Sequence, residues 1–376
     1  MPRYASIESL RGIAAMLVLF AHVKFPVIDA CGVDALPGVL RGGWGACGVD
    51  LFFVISGFVI GLTLDRPGAT WRSFLAARVA RVVPVYFLFT VVCLAIPAVV
   101  CVPMSPNVVA DSFAFLPVFD LDRFAGTIHP YGWTLSFEIW FYLAATAAAV
   151  TAGPRSAPLW LAGVFLAGPV AIRALGYDAA WYFPRFALSP LAAEFALGCV
   201  AYRVASRPLS AGAGAGLLMA GVAGLVLGGL RADRLAVYSA VLADSGLAFE
   251  RVAAWGLPAF LIVTGAATLE RRAGRWPWRR AAGFLGGISY SVYLVQPIIL
   301  FTVGSVGQAA GVNAPWAVAG VAAALVVVTA TVVHRTVELP LVAGARRRLE
   351  GWLAVSRPGG PVPSSRAEGR QALGTC

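Results

Sequence analysis

Apolar residues in this chain come in runs of about twenty, the length a helix needs to cross the hydrocarbon of a bilayer. The runs predict about ten spans, at about 7–25, 48–65, 82–102, 133–152, 158–175, 187–205, 211–230, 252–269, 283–303 and 315–333. Polar and Pro/Gly-bearing segments separate them. The fold class expected is therefore an all-α integral membrane protein, a bundle of about ten transmembrane helices with both termini cytoplasmic. Residues 1–340 would form the transmembrane domain and residues 341–376 a basic, disordered cytoplasmic tail, rich in Pro, Gly, Ser and Arg from about Ser356. No internal repeat is evident. The span at 211–230 is dense in glycine, which suits close helix packing more than chemistry.

Composition agrees with a membrane solvent: 59% of the 376 residues are hydrophobic and only 12% charged. The net charge of +11 is of a size that elsewhere suggests nucleic acid. Its distribution points to the bilayer instead. With the N-terminus placed in the cytoplasm, 20 of the 29 Lys and Arg fall on inner segments and eight on outer ones. That excess follows the positive-inside rule. No nucleic-acid partner is expected. The six cysteines lack C-x-x-C spacing, and three lie in apolar segments as small hydrophobes. Cys31 and Cys47 share a predicted outer loop, where an oxidising compartment would let them pair. The three histidines are scattered, and no metal site is expected.

Chemistry is marked by polar residues inside apolar runs, since ionisable groups in a membrane helix normally face protein or a wet cavity. Ser6 to His22 reads SIESLRGIAAMLVLFAH, with Glu8, Arg11 and His22 out of place. Arg11 and His22 are eleven residues apart, so they share a helical face within about 20° and lie about 16 Å from each other. The run also resembles a signal peptide, but Arg11 and His22 interrupt it and no A-x-A site follows. Asp50 is expected near the outer mouth of the second span and Ser56 at mid-membrane. Each is a candidate substrate contact; the plain alternative for Ser56 is a bond to its own helix. Arg78 and Arg81 share a face of a turn leading into the third span. They are either headgroup anchors or a phosphate clamp, because guanidinium forks match phosphate oxygens. Residues 103–132 form a long outer loop on which Asp120, Asp122 and His129 are expected to be solvated. Glu138 sits two turns into the fourth span and needs a partner or a proton, with Arg11 and His22 as the obvious ones. Glu194 is a further intramembrane carboxylate. Tyr290, Tyr293 and Gln296 are polar handles along the ninth span, and Glu338 marks the inner end of the last.

Taken in order, these stretches resemble the family-3 membrane acyltransferases. The matches are S-x-x-L-R-G-I-A-A with R-x10-H (Arg11, His22), G-V-D-L-F-F-V with S-G-F (Asp50 to Phe58), R-x-x-R-x-x-P-x-Y (Arg78, Arg81, Pro84, Tyr86) and W-T-L-x-x-E-x-x-F-Y (Trp133, Glu138, Tyr142). Weaker ones are I-S-Y-S-x-Y-L (Ile288 to Leu294) and V-E-x-P. The wording SFEIWFY looks most like the exopolysaccharide-modifying branch. The resemblance implies a multi-pass protein of the bacterial cytoplasmic (inner) membrane that moves an acyl group, acetyl by expectation, from acyl-CoA to a hydroxyl. The expected acceptor is a cell-surface or exported polysaccharide or its lipid-linked precursor. Partners would be acyl-CoA, a carbohydrate acceptor and the lipid bilayer, with no permanently bound cofactor. His22 would be the catalytic base, with Glu138 orienting its other nitrogen and Arg11 holding Glu138 or facing the donor. A covalent acyl-histidine is the rival mechanism. Arg78, Arg81 and Tyr86 would serve acyl-CoA; Asp50, Ser56, Trp133 and Glu194 would serve the acceptor. One departure stands out: where many members carry a histidine after the Y-L pair, this chain has Val295-Gln296, leaving His22 without a second imidazole there. The hydrolase-like extension of some members has no counterpart in these residues, so the chemistry is expected in the membrane part. Two other readings fit the same pattern: an O-acyltransferase for a secondary metabolite such as a macrolide, and a non-enzymatic transporter of small solutes or lipid-linked sugars.

Overall fold

A computed structural model describes residues 4–355 apart from 101, 103, 117, 121–122, 177–181, 275 and 278. The membrane part of the chain is a helical bundle, as lipid requires of a backbone with no water to bond. Among the described residues nine helices are long and apolar enough to cross a membrane. The helices that place the site are α1 (Ala5–His22), α2 (Lys24–Cys31), α3 (Cys47–Leu64), α4 (Trp71–Ala95), α5 (Gly132–Thr151) and α6 (Ala157–Ala174). They are followed by α7 (Ala192–Ala205), α8 (Ala211–Gly229), α9 (Leu257–Ala273), α10 (Arg279–Ala309), α11 (Pro315–Val333) and α12 (Leu339–Val355). A two-stranded antiparallel hairpin, β1 (Val118–Asp120) and β2 (Arg123–Gly126), lies in the loop before α5.

Helix starts are set by local chemistry. Thr70 and Ser73 form a reciprocal capping box, Ser73 N to Thr70 Oγ1 at 3.2 Å and Thr70 N to Ser73 Oγ at 3.3 Å. This begins α4 eleven residues before the predicted span at 82, so Arg78, Arg81 and Pro84 all lie within the helix. The start of α1 is capped from a distance. Glu270 of α9 accepts from Ala5 N at 2.8 Å, Ser6 N at 2.9 Å and Ser6 Oγ at 2.6 Å, answering orphan amides at the positive end of the helix. That contact fixes the height of the helix carrying Arg11 and His22.

Packing follows small residues, as expected where lipid removes the hydrophobic drive between helices. A Cβ on Gly57 of α3 would run into the Phe195 carbonyl oxygen of α7, and one on Gly198 into that of Val54. A Cβ on Gly12 of α1 would fall 2.6 Å from Leu285 Cβ of α10. The glycines of α8 serve the same end, Gly214, Gly221 and Gly228 facing α9 and the turn before it.

Three expectations are corrected. The span drawn at 187–205 is a short helix Tyr182–Ala187, a turn through Ser189-Pro190, and the fourteen-residue α7. Pro190 cannot donate to a continuous helix, and the irregular backbone is tolerated because α7 packs inside the bundle against α3, α6 and α9. The segment assigned to a tail from 341 is helical as far as Val355: a widened π turn at His334–Glu338 carries the chain from α11 into α12, which packs on α4. The stretch from Ser356 lies outside the described residues. Finally, Cys31 and Cys47 are both free thiols. Cys31 is turned toward α11, its Sγ donating to Val312 O at 3.3 Å, while Cys47 is buried at the start of α3.

Candidate active site

Polar side chains inside the bundle gather in two layers joined by α1 and α10, an inner one at the Arg11 end of α1 and an outer one at the His22 end. The inner layer centres on Glu138. Its Oε1 accepts from Ser56 Oγ of α3 at 2.9 Å and from the Tyr142 hydroxyl one turn further along α5. The Arg78 guanidinium lies 5.6 Å from the centre of the Tyr142 ring and 5.5 Å from that of Phe74, and its Nη2 donates to Thr63 Oγ1 at 2.9 Å. Its Nε is buried with no partner. Arg11 donates to Ser289 Oγ of α10 at 3.1 Å, and Arg81, Glu138 and Glu338 are the charged groups that act on it. Glu338, in the π turn, accepts from Ser291 Oγ at 2.6 Å and pairs with His334 Nδ1 at 2.8 Å. Three guanidinium groups here meet two carboxylates, which leaves room for an anion.

The outer layer centres on His22, the last residue of α1. Its ring stacks on Tyr131 at 4.4 Å between centroids and 24° between planes, with Phe25 on the other contact at 5.8 Å. Its Nδ1 is buried, and the Val18 backbone one turn back reaches the ring. Tyr131 is held in place by its own backbone: its N–H donates to His129 Nδ1 at 3.3 Å, and its carbonyl accepts from the Tyr293 hydroxyl at 2.8 Å. Since His129 Nδ1 accepts, its proton is on Nε2, which donates to Leu294 O of α10 at 3.0 Å. His129 lies in the loop before α5, and burial pushes its pKa down to about 4.

The sequence-derived candidates divide accordingly. Arg11, Ser56, Arg78, Arg81 and Glu138 come together in the inner layer. His22 stands apart from Glu138, about three turns further along α1 from Arg11, so the expected Glu138–His22 pair is replaced by Glu138 with Ser56 and Tyr142. The arginines of α4 turn inward toward Glu138 and Arg11, because α4 starts early enough to bring them into the bundle. Tyr86, expected with the donor, is fully buried one turn or more beyond Arg81, its hydroxyl bonded to Ser112 O at 3.2 Å. Trp133, expected with the acceptor, is buried and stacked on Tyr238 at 5.3 Å and 11°.

Asp50 and Glu194 belong elsewhere. Arg251 donates to both Asp50 oxygens, from Nε at 2.9 Å and from Nη2 at 2.8 Å, and its remaining donors reach Leu235 O and Ala46 O. The side chains are 2% and 0% exposed, and Glu194 lies within electrostatic reach of both. The Asp50–Arg251 ion pair with Glu194 beside it forms a buried cluster tying α3, α7 and the turn before α9. No single-sequence signal pairs residues two hundred positions apart. His129 is also corrected: it is buried, not solvated. Asp122 lies outside the described residues. His334 and Tyr131 are polar neighbours the sequence reading passed over. His334 shares a turn with Glu338 at i and i+4, the one spacing that signalled it.

The family model described as "Acyltransferase domain" matches residues 4–335. Over 302 residues the chain is 33% identical to "Exopolysaccharide production protein ExoZ" of Rhizobium meliloti (strain 1021), covering 72% of this chain and 81% of the relative. No solved structure matches.

Proposed function

The chain belongs to the acyltransferase 3 family, and from that premise we propose that this membrane acyltransferase moves an acyl group, acetyl in the simplest case, from acyl-CoA to a hydroxyl of an exported polysaccharide or its lipid-linked precursor. The observation that carries the reading is the pairing of two layers on one helix. Arg11 stands beside Arg81 and Glu138, which in turn reach Arg78, near one end of the bundle, and His22 stands about 16 Å further along α1. A donor with anionic phosphates at one end and a thioester at the other, joined by a thin arm, has the shape this spacing asks for. Arg78 and Arg81 supply guanidinium forks for phosphate oxygens. Arg78 keeps a buried donor, Nε, unspent by the protein. The acceptor side is read from the relative, which is named for exopolysaccharide production.

In the reaction proposed, the acceptor hydroxyl attacks the thioester carbonyl carbon. His22 takes the hydroxyl proton, the new C–O bond forms and the C–S bond breaks. The departing thiolate then takes the proton from the imidazolium. Tyr131 and Phe25 hold the ring by stacking, so its orientation needs no carboxylate. Glu138 acts on the inner layer, where it offsets the arginine charge and fixes Ser56 and Tyr142.

The test is direct. Membranes containing the full chain, acetyl-CoA labelled in the acetyl group and the host's exported polysaccharide should yield labelled polysaccharide and free thiol. Loss of that O-acyl group from the glycan of a deletion strain, read by mass spectrometry, should match. Unlabelled glycan with no thiol release from any acyl-CoA would overturn the reading.

A further inference from the structure

Gln296 of α10 is fully buried, and neither its Nε2 nor its Oε1 has a hydrogen-bond partner. A primary amide with both ends idle in a dry interior is unfavourable unless something polar joins it. Its position follows from the register of α10 against α1, which run parallel. Arg11 meets Ser289, 278 positions on. The same offset pairs Glu8 with Gly286 and Pro26 with Gly304, whose missing Cβ atoms let the backbones touch. Extended along the seam, that register sets Gln296 opposite Val18, one turn short of His22. Gln296 is two turns beyond Ser289 and so lies within about 20° of the face that meets Arg11. Pro297, next in the chain, withholds the hydrogen bond its nitrogen would otherwise give to Tyr293 O. The amide therefore sits between the arginine layer and His22, whose Nδ1 is itself buried.

We propose that Gln296 is a catalytic residue: its carboxamide N–H donates to the acyl carbonyl oxygen as that oxygen becomes an anion. This rests on the acyl-transfer reading above and assigns the group that reading leaves unnamed. When the acceptor oxygen adds to the thioester carbon, the carbonyl electron pair moves onto oxygen and the hydroxyl proton passes to His22. The oxyanion is then held by the Gln296 N–H until the C–S bond breaks. A donor already in place and already desolvated costs no reorganisation during the step. The absence of a protein partner is what such a donor requires, because its partner is the reacting atom.

The experiment measures acetyl transfer from acetyl-CoA by the full chain in membranes, with thermal stability of the same preparations. Gln296→Met keeps the volume and removes the donor. It should lower kcat by about 100- to 1,000-fold, leave the KM for acetyl-CoA within about twofold, and melt at or above the wild-type temperature. Gln296→His, which restores an N–H, should recover part of the lost kcat. A Gln296→Met variant with wild-type kcat, or one whose lost activity tracks lost folding, would overturn the proposal. Failure of the acyl-transfer reading is separate, because it would appear as no thiol release from acetyl-CoA by the unaltered protein.

Discussion

Replacing Arg251 by methionine should destabilise this protein more than replacing Asp50 by asparagine, although the two residues share one ion pair. The reason is the third member of the cluster. Arg251 makes two bonds to Asp50, at 2.9 and 2.8 Å, and a third at 2.7 Å to Leu235 O, with side chains 2% and 0% exposed. Breaking a buried pair by removing one partner costs about 3–5 kcal/mol, mostly because the other charge is left uncompensated. In Arg251→Met two carboxylates remain, Asp50 and Glu194, facing each other without a cation. The loss should reach the upper end, about 5 kcal/mol. In Asp50→Asn the guanidinium still has Glu194 within reach. The loss should be nearer that of one charged hydrogen bond, about 1.5–3 kcal/mol. Glu194→Gln added to Arg251→Met puts an amide donor beside Asp50 where a carboxyl group stood and should restore part of the stability. The assay is thermal unfolding in detergent, with acceptor KM measured on each variant. Equal losses for the two single variants, or further loss on adding Glu194→Gln, would refute the cluster. A raised acceptor KM for Asp50→Asn at unchanged melting temperature would return Asp50 to the substrate site.

Lysine at Arg78 or Arg81 keeps the charge but loses the fork; it should raise the KM for acyl-CoA by about tenfold, with membrane abundance unchanged, as quantitative immunoblotting would report. Glu270→Gln removes the charge that caps α1 from α9 and should cost about 1 kcal/mol of stability, visible in the melting temperature and not in kcat. His129 is held neutral by burial, its pKa pushed down to about 4 from 6.5. Stability is therefore complete above about pH 6.5 and should fall as pH drops toward 4, where the unfolded chain binds the proton and the folded one does not. His129→Gln should flatten the dependence of melting temperature on pH in that interval.

The bundle was readable because each span repeats one requirement, about twenty apolar residues, and the termini of α5, α6, α8 and α11 fall within a residue or so of their predicted bounds. Where reading slipped, a specific contact outweighed hydropathy. The Thr70–Ser73 box started α4 early, Pro190 broke the span at 187–205, and packing on α4 carried α12 through residues polar enough to pass for a tail. The site was half legible. Arg11, Ser56 and Glu138 were marked as polar groups inside apolar runs, and Arg78 and Arg81 by their shared face before the third span; the fold does gather them. Which carboxylate met which partner was not legible, because that depends on helix rotation: Glu138 turned to Ser56 and Tyr142, and Asp50 to Arg251. His334 and Tyr131 were overlooked because each sits at the end of an apolar run, where a polar residue is unremarkable.

The central claim is that the His22 imidazole, stacked on Tyr131 at the C-terminal end of α1, takes the proton of the acceptor hydroxyl. Acetyl transfer to polysaccharide by His22→Ala, measured at matched membrane abundance beside the unaltered protein, tests it most directly. Removal of a general base should lower turnover by about 100-fold or more while acetyl-CoA binding persists through Arg78 and Arg81. Turnover by His22→Ala within a few-fold of the unaltered protein would contradict the account.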